Sequence, residues 1–450
     1  MRGQAVAWAI AGMVTGGCAP PPFKCVDDGS CDLMAGGRCE AGLCRYDGTA
    51  TDPSTTAATE PTTGGPASCA LWERPLGLPG KATAVALADD GGAFVVGFTS
   101  AAPLELRALR LDAAGEQVWS HAVDATESPS VDDDTDLWAR LFVPADDELL
   151  VVYSRRDPDE QTVTVKSSPH LRRVAIDGGG VVGEADELAL QIHSLRGASM
   201  PDAETLLLAG ERQENIWYQR AAFIGGVWSP AWPAQPSPFT PDAAFDSPAI
   251  AQAIALAGDE VVIGGTWNLP DGDAYTAWLR RVALADGAVA CTCEVEAAGI
   301  LALLPAEGGG VFVAGYRQDP SMRSSAWLAR VEPGCAMAMA CPIAWEHAIP
   351  GAEADVYFGR AELVRDAVFA LVPAPGGGVI AAGTVDREPW AARYADDGAE
   401  QWVMNRGASS GAALAIAASE DASCLTLVGS EKYGNYAERS WWARRVSLPP

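Results

Sequence analysis

The stretch GGGVFVAGYRQ, from Gly308 to Gln318, is one of six similar stretches in this chain. In each, a short run of apolar residues follows a turn signal and ends near a glycine. Such runs are typical of β-strands, and their recurrence indicates a fold built from repeated units. The other five are GGAFVVGFTS from Gly91, ETLLLAGERQ from Glu204, EVVIGGTWNL from Glu260, GGGVIAAGTV from Gly376 and SCLTLVGSEK from Ser423.

Alignment on this stretch reveals a unit of four strands. An apolar strand such as ILALLPAEGGG from Ile300 comes first, and the quoted strand follows it. The third strand carries an aromatic residue and arginine, as in AWLARVEP from Ala326. The fourth is led by tryptophan, as in IAWEHAI from Ile343. Repeated sets of four short strands with Gly-rich turns predict an all-β fold, a β-propeller.

Residues 69–450 are predicted to form a seven-bladed propeller, with six and eight blades as the alternatives. Two units are weak: ELLVVYS from Glu148 lacks the glycine, and IWYQRAAFIGG from Ile216 departs from the third-strand pattern. The seven second strands are expected near Phe94, Leu149, Leu206, Val261, Val311, Val379 and Leu425.

The two ends of this body are complementary. CALWERPLG, from Cys69, is a Trp-led fourth strand with nothing before it, and WWARRVSLPP, from Trp441, is a third strand with nothing after it. We expect the two to pair and close the ring, which would place Cys69 beside Cys424 in a disulfide. Cys335 and Cys341 are expected to pair across one turn. For Cys291 and Cys293 the sequence suggests a bridge between the two and no other partner.

The N-terminus predicts export. Residues 1–17 read as a signal peptide in which the apolar run AVAWAIAGMV (Ala5 to Val14) is too short to span a bilayer. TGGC then places small residues before Cys18, which predicts a lipidated cysteine and an anchor in the membrane. An ordinary secretory signal is the alternative. Both lead to an exported protein, and the lipoprotein reading places it at the outer membrane or cell surface.

Two short segments precede the body. Residues 18–46 hold four further cysteines in a segment too short for a core, which predicts a disulfide module; these are Cys25, Cys31, Cys39 and Cys44. Residues 47–68, DGTATDPSTTAATEPTTGGPAS, are rich in Thr, Pro and Gly and predict a disordered linker.

The charge balance excludes nucleic acid as a partner. The chain carries 31 Lys and Arg against 59 Asp and Glu, a formal net charge of −28, whereas nucleic-acid binding requires clustered cations. The acidic excess favours cationic partners or Ca²⁺.

Candidate site residues are few, and no catalytic residue is assigned. No cofactor is predicted, although two acidic loops offer oxygen ligands for Ca²⁺. Four tryptophans outside the repeat pattern are candidates for an exposed ligand platform. His121 and His347 recur at one repeat position, which favours a structural role. The Ca²⁺ candidates are Asp132, Asp133, Asp134, Asp136, Asp271 and Asp273, and the aromatic candidates are Trp217, Trp228, Trp232 and Trp267.

The whole arrangement resembles exported lipoproteins of myxobacteria and similar bacteria. The resemblance rests on TGGC, on CVDDGSCDLMAGGRCEAGLC from Cys25, on the Thr-rich linker, and on repeats such as the one that begins DDGGAFVVGFTS at Asp89. It implies a surface protein with a degenerate propeller and transfers no catalytic residue.

We therefore expect a non-enzymatic surface lipoprotein whose propeller binds or scaffolds a protein or glycan. One alternative is a propeller enzyme of the hydrolase, lyase or quinone-dependent dehydrogenase type. Another is a purely structural envelope component. Fold alone does not choose among them, because propellers host many functions.

Overall fold

The computed structural model divides the chain into two compact units, Met1–Gly65 and Pro66–Pro450. It describes residues 37–40, 43–46, 69–100, 104–126, 138–145, 147–156, 167–188, 194–212, 215–224, 226–232, 249–268, 275–296, 298–319, 324–334, 340–351, 366–405, 411–419, 423–431 and 440–448. No helix among these residues is long and apolar enough to cross a membrane. Cys18, Cys25, Cys31 and the predicted linker lie outside the described residues.

The described part of the first unit, residues 37–40 and 43–46, is a hairpin. Strands β1 (Gly37–Glu40) and β2 (Leu43–Tyr46) are antiparallel, and their register places Cys39 opposite Cys44.

The described residues of the second unit form β-strands and turns, with a 3-10 turn at Glu307–Gly309. Five sheets have four strands each, in the orders β10-β9-β8-β7, β11 to β14, β15 to β18, β19 to β22, and β23 to β26. The strands are β3 (Trp72–Leu87), β4 (Ala93–Thr99), β5 (Leu104–Leu111), β6 (Gln117–Thr126), β7 (Ala139–Ala145), β8 (Glu148–Arg156), β9 (Ser167–Ala175), β10 (Val181–Glu187), β11 (Ser194–Asp202), β12 (Thr205–Arg212), β13 (Asn215–Ile224), β14 (Val227–Pro230), β15 (Ala249–Ala257), β16 (Glu260–Asn268), β17 (Tyr275–Ala283), β18 (Val289–Glu296), β19 (Ala298–Pro305), β20 (Val311–Gln318), β21 (Ser324–Val331), β22 (Ile343–Pro350), β23 (Ala367–Pro373), β24 (Val379–Val385), β25 (Glu388–Tyr394), β26 (Glu400–Asn405), β27 (Gly411–Ala418), β28 (Cys424–Glu431) and β29 (Ser440–Ser447).

The blade count differs from the prediction, because five blades are separate rather than seven. The strands expected for the first and last blades form one seven-stranded sheet, in the order β27-β28-β29-β3-β4-β5-β6. The physical reason is β3, which runs for 16 residues without a break. Its first half, Trp72–Pro79, pairs with β29, and its second half, Gly80–Leu87, pairs with β4.

The innermost strands form a closed ring. The second half of β3 contacts β7, and the contacts continue through β11, β15, β19, β23 and β27, which in turn contacts β3. Buried apolar side chains fill the spaces between adjacent sheets; one such cluster joins Val262 and Leu279 to Val313 and Trp327. The stacking buries the faces that a single sheet leaves exposed, as expected for a propeller.

Disulfides confirm one predicted pairing and correct two. Cys69 is bonded to Cys424, 355 residues away, which supports the predicted closure of the ring. Cys341 is bonded to Cys293 and not to Cys335, so the predicted pairing within one turn is wrong, as is the mutual bridge of Cys291 and Cys293. The reason is spatial: Cys341 precedes β22 and lies against β18 of the neighbouring sheet, where Ala340 bridges Glu294. Cys291 is also disulfide-bonded, and Cys335 lies outside the described residues.

A repeated tryptophan ties neighbouring units together. Trp345, on β22, donates its indole N–H to the carbonyl of Asp396, 2.8 Å away in the next sheet's turn between third and fourth strands. The same bond recurs from Trp72 to Ala113 at 3.1 Å, from Trp119 to Ile176 at 3.0 Å and from Trp232 to Leu284 at 2.9 Å. The Trp-led fourth strand of the sequence pattern is therefore a link between units.

Replacing Trp345 by phenylalanine should lower the free energy of unfolding by about 1 kcal/mol, because the hydrogen bond to Asp396 is lost while most of the aromatic packing remains. Trp228→Phe is the matched control, since the Trp228 indole nitrogen has no partner among the described residues. Denaturant unfolding measures both variants. Equal losses from the two would contradict the role given to the repeated hydrogen bond.

Candidate functional site: the mouth of the central channel

The ring of innermost strands encloses a cavity of about 310 Å³, lined by residues of β3, β7, β11, β15, β19, β23 and β27. A cavity of this size is within the range of small-molecule sites. Because every innermost strand contributes to its wall, the residue that each strand directs inward determines the chemistry of the channel.

Six of these strands carry a β-bulge near the start of the part that pairs with the second strand, which in β3 is the half Gly80–Leu87. The register with the second strand shifts between residues that flank one extra residue, as at Ile300 and Ala302 around Leu301. A bulge changes the direction in which the side chain of the extra residue points. In β7 the register continues unbroken here, and Arg140 occupies the equivalent place between buried Ala139 and Leu141. We call these seven positions the mouth ring: Thr83, Arg140, Arg196, Gln252, Leu301, Phe369 and Leu414.

The repeated glycine of the sequence pattern is explained by these bulges. Gly315, in the opening stretch, lies opposite Ile300, beside the bulge. A Cβ atom on Gly315 would collide with the carbonyl oxygen of Gly299, so no other residue fits without a shift. The same collision with a carbonyl of the innermost strand is found at the other glycines that face a bulge: Gly97, Gly210, Gly265, Gly383 and Gly429.

Strand β8 shows the converse. Tyr153 occupies the position of the glycine, opposite Ala139, and the bulge is absent there. The Tyr153 hydroxyl donates to the Asp124 carboxylate at 2.7 Å, which ties β8 to β6 of the neighbouring sheet. Burial raises the pKa of this hydroxyl well above its usual value. The second unit departs from the sequence pattern because a tyrosine contact replaces the glycine and its bulge there.

The mouth ring has a polar half and an apolar half. Thr83, Arg140, Arg196 and Gln252 follow one another on consecutive innermost strands, and Leu301, Phe369 and Leu414 complete the circle. Arg140, Gln252, Leu301 and Phe369 line the cavity directly. Deeper in the channel the next position on each strand is apolar throughout: Val85, Phe142, Ala198, Ile254, Leu303, Leu371 and Ile416.

Arg140 is the charged residue of the cavity wall. Its Nη1 donates to the carbonyl of Thr83 at 3.4 Å, and its guanidinium lies 5.1 Å from the centre of the Trp138 ring. Burial lowers the pKa of Arg140 to about 10, so the side chain stays charged at neutral pH. Across β11 from it, the buried Oε1 of Gln252 has no hydrogen-bond partner among the described residues.

The two faces of the ring differ in their connections. On the turn face, where the innermost strands end, the connections have two or five residues, apart from 332–342. On the loop face, where the innermost strands begin and the mouth ring lies, connections include single residue 297 and the 16 residues 351–366. The Trp–carbonyl bonds lie on the turn face and stabilise it, whereas the loop face tolerates large differences in length.

Asp366 is a buried carboxylate at the loop face, next to the start of β23. It accepts the backbone N–H of Asp386 at 2.8 Å, and burial raises its pKa to about 6. Asp386 and Arg387 form the two-residue connection of β24 and β25 with φ of 54° and 65°. Asp366 therefore anchors a tight turn in the left-handed region.

The sequence-predicted site residues do not come together. All six Ca²⁺ candidates lie outside the described residues, and the described residues contain no group of three or more His, Cys, Asp or Glu able to hold a metal ion. Trp217, Trp232 and Trp267 are buried, and Trp228 is half-buried against Phe223. Trp232 belongs to the Trp–carbonyl bonds, so the sequence alignment missed its repeat position.

The two repeat-position histidines pack beside tryptophan. His347 contacts Trp345, its Nε2 lies 2.7 Å from the carbonyl oxygen of Gly398, and its ring stacks on Tyr394. His121 lies against Trp119, with 5.9 Å between ring centres. These contacts agree with the structural role expected from the repeat.

The comparisons with known proteins identify the fold. No family model matches the chain, and no curated protein does. Sqt1 of Chaetomium thermophilum, solved bound to the N-terminus of the ribosomal protein L10, is 11% identical with a TM-score of 0.50, covering 85% of this chain and 99% of that one. The polysaccharide lyase Uly1 is 10% identical with a TM-score of 0.47, covering 84% and 91%. The WD40 propeller domain of Doa1 is 11% identical with a TM-score of 0.46, covering 85% and 96%. At such identities the likeness concerns the fold alone.

Proposed function

We propose that this chain is an exported lipoprotein, anchored through Cys18, whose propeller binds a protein partner at its loop face without catalysing a reaction. The segment 47–68 would hold the propeller away from the membrane. We also infer that the seven-stranded sheet acts as two blades, with β3 as the last strand of one and the first of the other. The separate pairing of its two halves supports this.

The observation that carries the proposal is the difference between the two faces. The turn face is built from short connections, and indole hydrogen bonds link its neighbouring units; the donors are Trp72, Trp119, Trp232 and Trp345. The loop face carries the long connections and surrounds the mixed polar and apolar mouth ring. Binding residues are concentrated on loops that a rigid scaffold positions, which favours the loop face.

A protein partner is favoured over a glycan by the positions of the tryptophans. Glycan platforms require exposed aromatic faces, and three of the four candidate tryptophans are buried in the body. The acidic excess of the whole chain favours a partner with a cationic surface.

Site-specific photocrosslinking tests the proposal. Ala125, at the loop-face end of β6, and Ala114, in the turn before β6, are both exposed residues of the same sheet. A benzophenone amino acid at each position of the full chain, illuminated in cells, should give a protein adduct from position 125 and none from position 114. Adducts from both positions, from neither, or from position 114 alone would contradict the proposal, and a carbohydrate adduct would contradict the choice of a protein.

A further inference from the structure

The central channel combines features that the loop-face function does not use. The side chains named below the mouth ring are apolar, from Phe142 and Ile254 to Leu303 and Leu371. Its mouth carries a guanidinium from Arg140 on one side and leucine and phenylalanine on the other. An apolar cavity with a few convergent polar groups at one end is the usual form of a small-molecule site.

The polar half of the mouth ring selects an anion. Arg140 keeps its charge at neutral pH, and among the described residues it takes part in no ion pair with a carboxylate. A half-buried guanidinium is stabilised by a charged acceptor, and its planar fork matches the two oxygens of a carboxylate. The chain as a whole carries a net charge of −28, so this affinity is local to the mouth and opposes the surrounding field.

Gln252 adds a second polar side chain to the cavity wall. Its Oε1 is buried without a partner among the described residues and has almost no accessible surface, so a ligand in the channel does not reach this oxygen. The head group of a ligand therefore lies against Arg140, while its tail enters the part of the channel that apolar side chains line.

We propose that the channel binds a small amphipathic carboxylate of the fatty-acid type, with its head group on Arg140 and its alkyl chain among the apolar residues below. The site is separate from the loops that would contact a protein. It goes beyond the loop-face function and does not depend on it.

Titration with saturated carboxylates below their micelle concentrations tests the site, with tryptophan fluorescence or calorimetry as the readout. For the propeller-containing full chain, the dissociation constant should fall roughly fourfold per added methylene from hexanoate to decanoate, because each buried methylene contributes a constant increment. Decanol, which keeps the tail and lacks the charge, should bind roughly 10-fold or more weakly.

Arg140→Leu should weaken decanoate binding by roughly 10-fold or more and leave decanol binding unchanged. Arg74→Leu is the matched control: it removes the same charge at the turn face, where Arg74 pairs with exposed Glu116, and should leave decanoate binding as in the wild type. Circular dichroism and melting show that each variant folds.

Three results would overturn the proposal: no saturable binding of decanoate, equal binding of decanoate and decanol by the wild type, or equal weakening by the two arginine variants. If Arg140→Leu fails to fold, the wild-type comparison of decanoate with decanol still decides. A negative result here leaves the photocrosslinking test of the loop face untouched, so the two proposals fail separately.

Discussion

Replacing both Cys69 and Cys424 by alanine should lower the free energy of unfolding by roughly 5 kcal/mol under oxidising conditions. The disulfide joins residues 355 positions apart, so it removes more conformational entropy from the unfolded chain than any short-range bridge. It also holds the start of the body beside β28, close to where β3 pairs with β29. Guanidinium unfolding of the full chain, followed by tryptophan fluorescence, measures the loss.

The control is the double alanine variant of Cys293 and Cys341, whose bridge closes 48 residues and should contribute roughly 4 kcal/mol. Both pairs are largely buried, so the packing losses are similar in kind. If removal of the long-range bridge costs less than removal of the short one, the pairing of β3 with β29 closes the ring without help from the disulfide.

Gly315→Val should lower the free energy of unfolding by about 3 kcal/mol, at the upper end of the usual cost of forcing extra atoms into a packed interior. The new Cβ would meet the carbonyl oxygen of Gly299, which is backbone and cannot move aside as a side chain can. The bulge around Leu301 must then shift or disappear, which turns a mouth-ring side chain away from the channel.

Gly178→Ala is the matched control for this effect. Gly178 lies in the turn before β10, and a Cβ there would meet nothing within 4 Å. Its substitution should change the free energy of unfolding by less than about 0.5 kcal/mol. A cost for Gly315→Val below about 1 kcal/mol would show that the innermost strand accommodates a side chain at this position.

Much of the fold was accessible from the sequence because its repeats carry local signals. The apolar runs, Gly-rich turns and Trp-led strands predicted the all-β propeller, and the unmatched strands at the two ends predicted the pairing of β3 with β29 and the Cys69–Cys424 bridge. The separate first and last blades were wrong: Pro75, Gly77, Pro79 and Gly80 predict a turn in this stretch, whereas β3 continues through it with Gly77 and Gly80 at positive φ.

The candidate site was not accessible in the same way. Arg140 and Gln252 are single residues in strands that otherwise read as apolar, and no motif marks them. Their place at the channel follows from the register: Gln252 is the extra residue of a bulge opposite a glycine, whereas Arg140 lies in a strand without that bulge, where Tyr153 replaces the glycine. The sequence does contain one signal. Arg140 and Gln252 each lie between two small or apolar residues, near the start of the first strand of a unit. The Cys293–Cys341 bridge escaped prediction because it joins two sheets that only the closed ring makes neighbours.

Arg140 and Leu301 occupy equivalent positions of the mouth ring on different strands, and both line the cavity that we propose as the ligand site. The direct test moves the arginine around the ring: decanoate affinity is compared between Arg140→Leu and the double variant Arg140→Leu with Leu301→Arg. Because Leu301 lines the same cavity from another strand, we expect the double variant to regain most of the affinity that Arg140→Leu loses. A double variant that binds decanoate no more tightly than Arg140→Leu alone would show that the channel is not the carboxylate site.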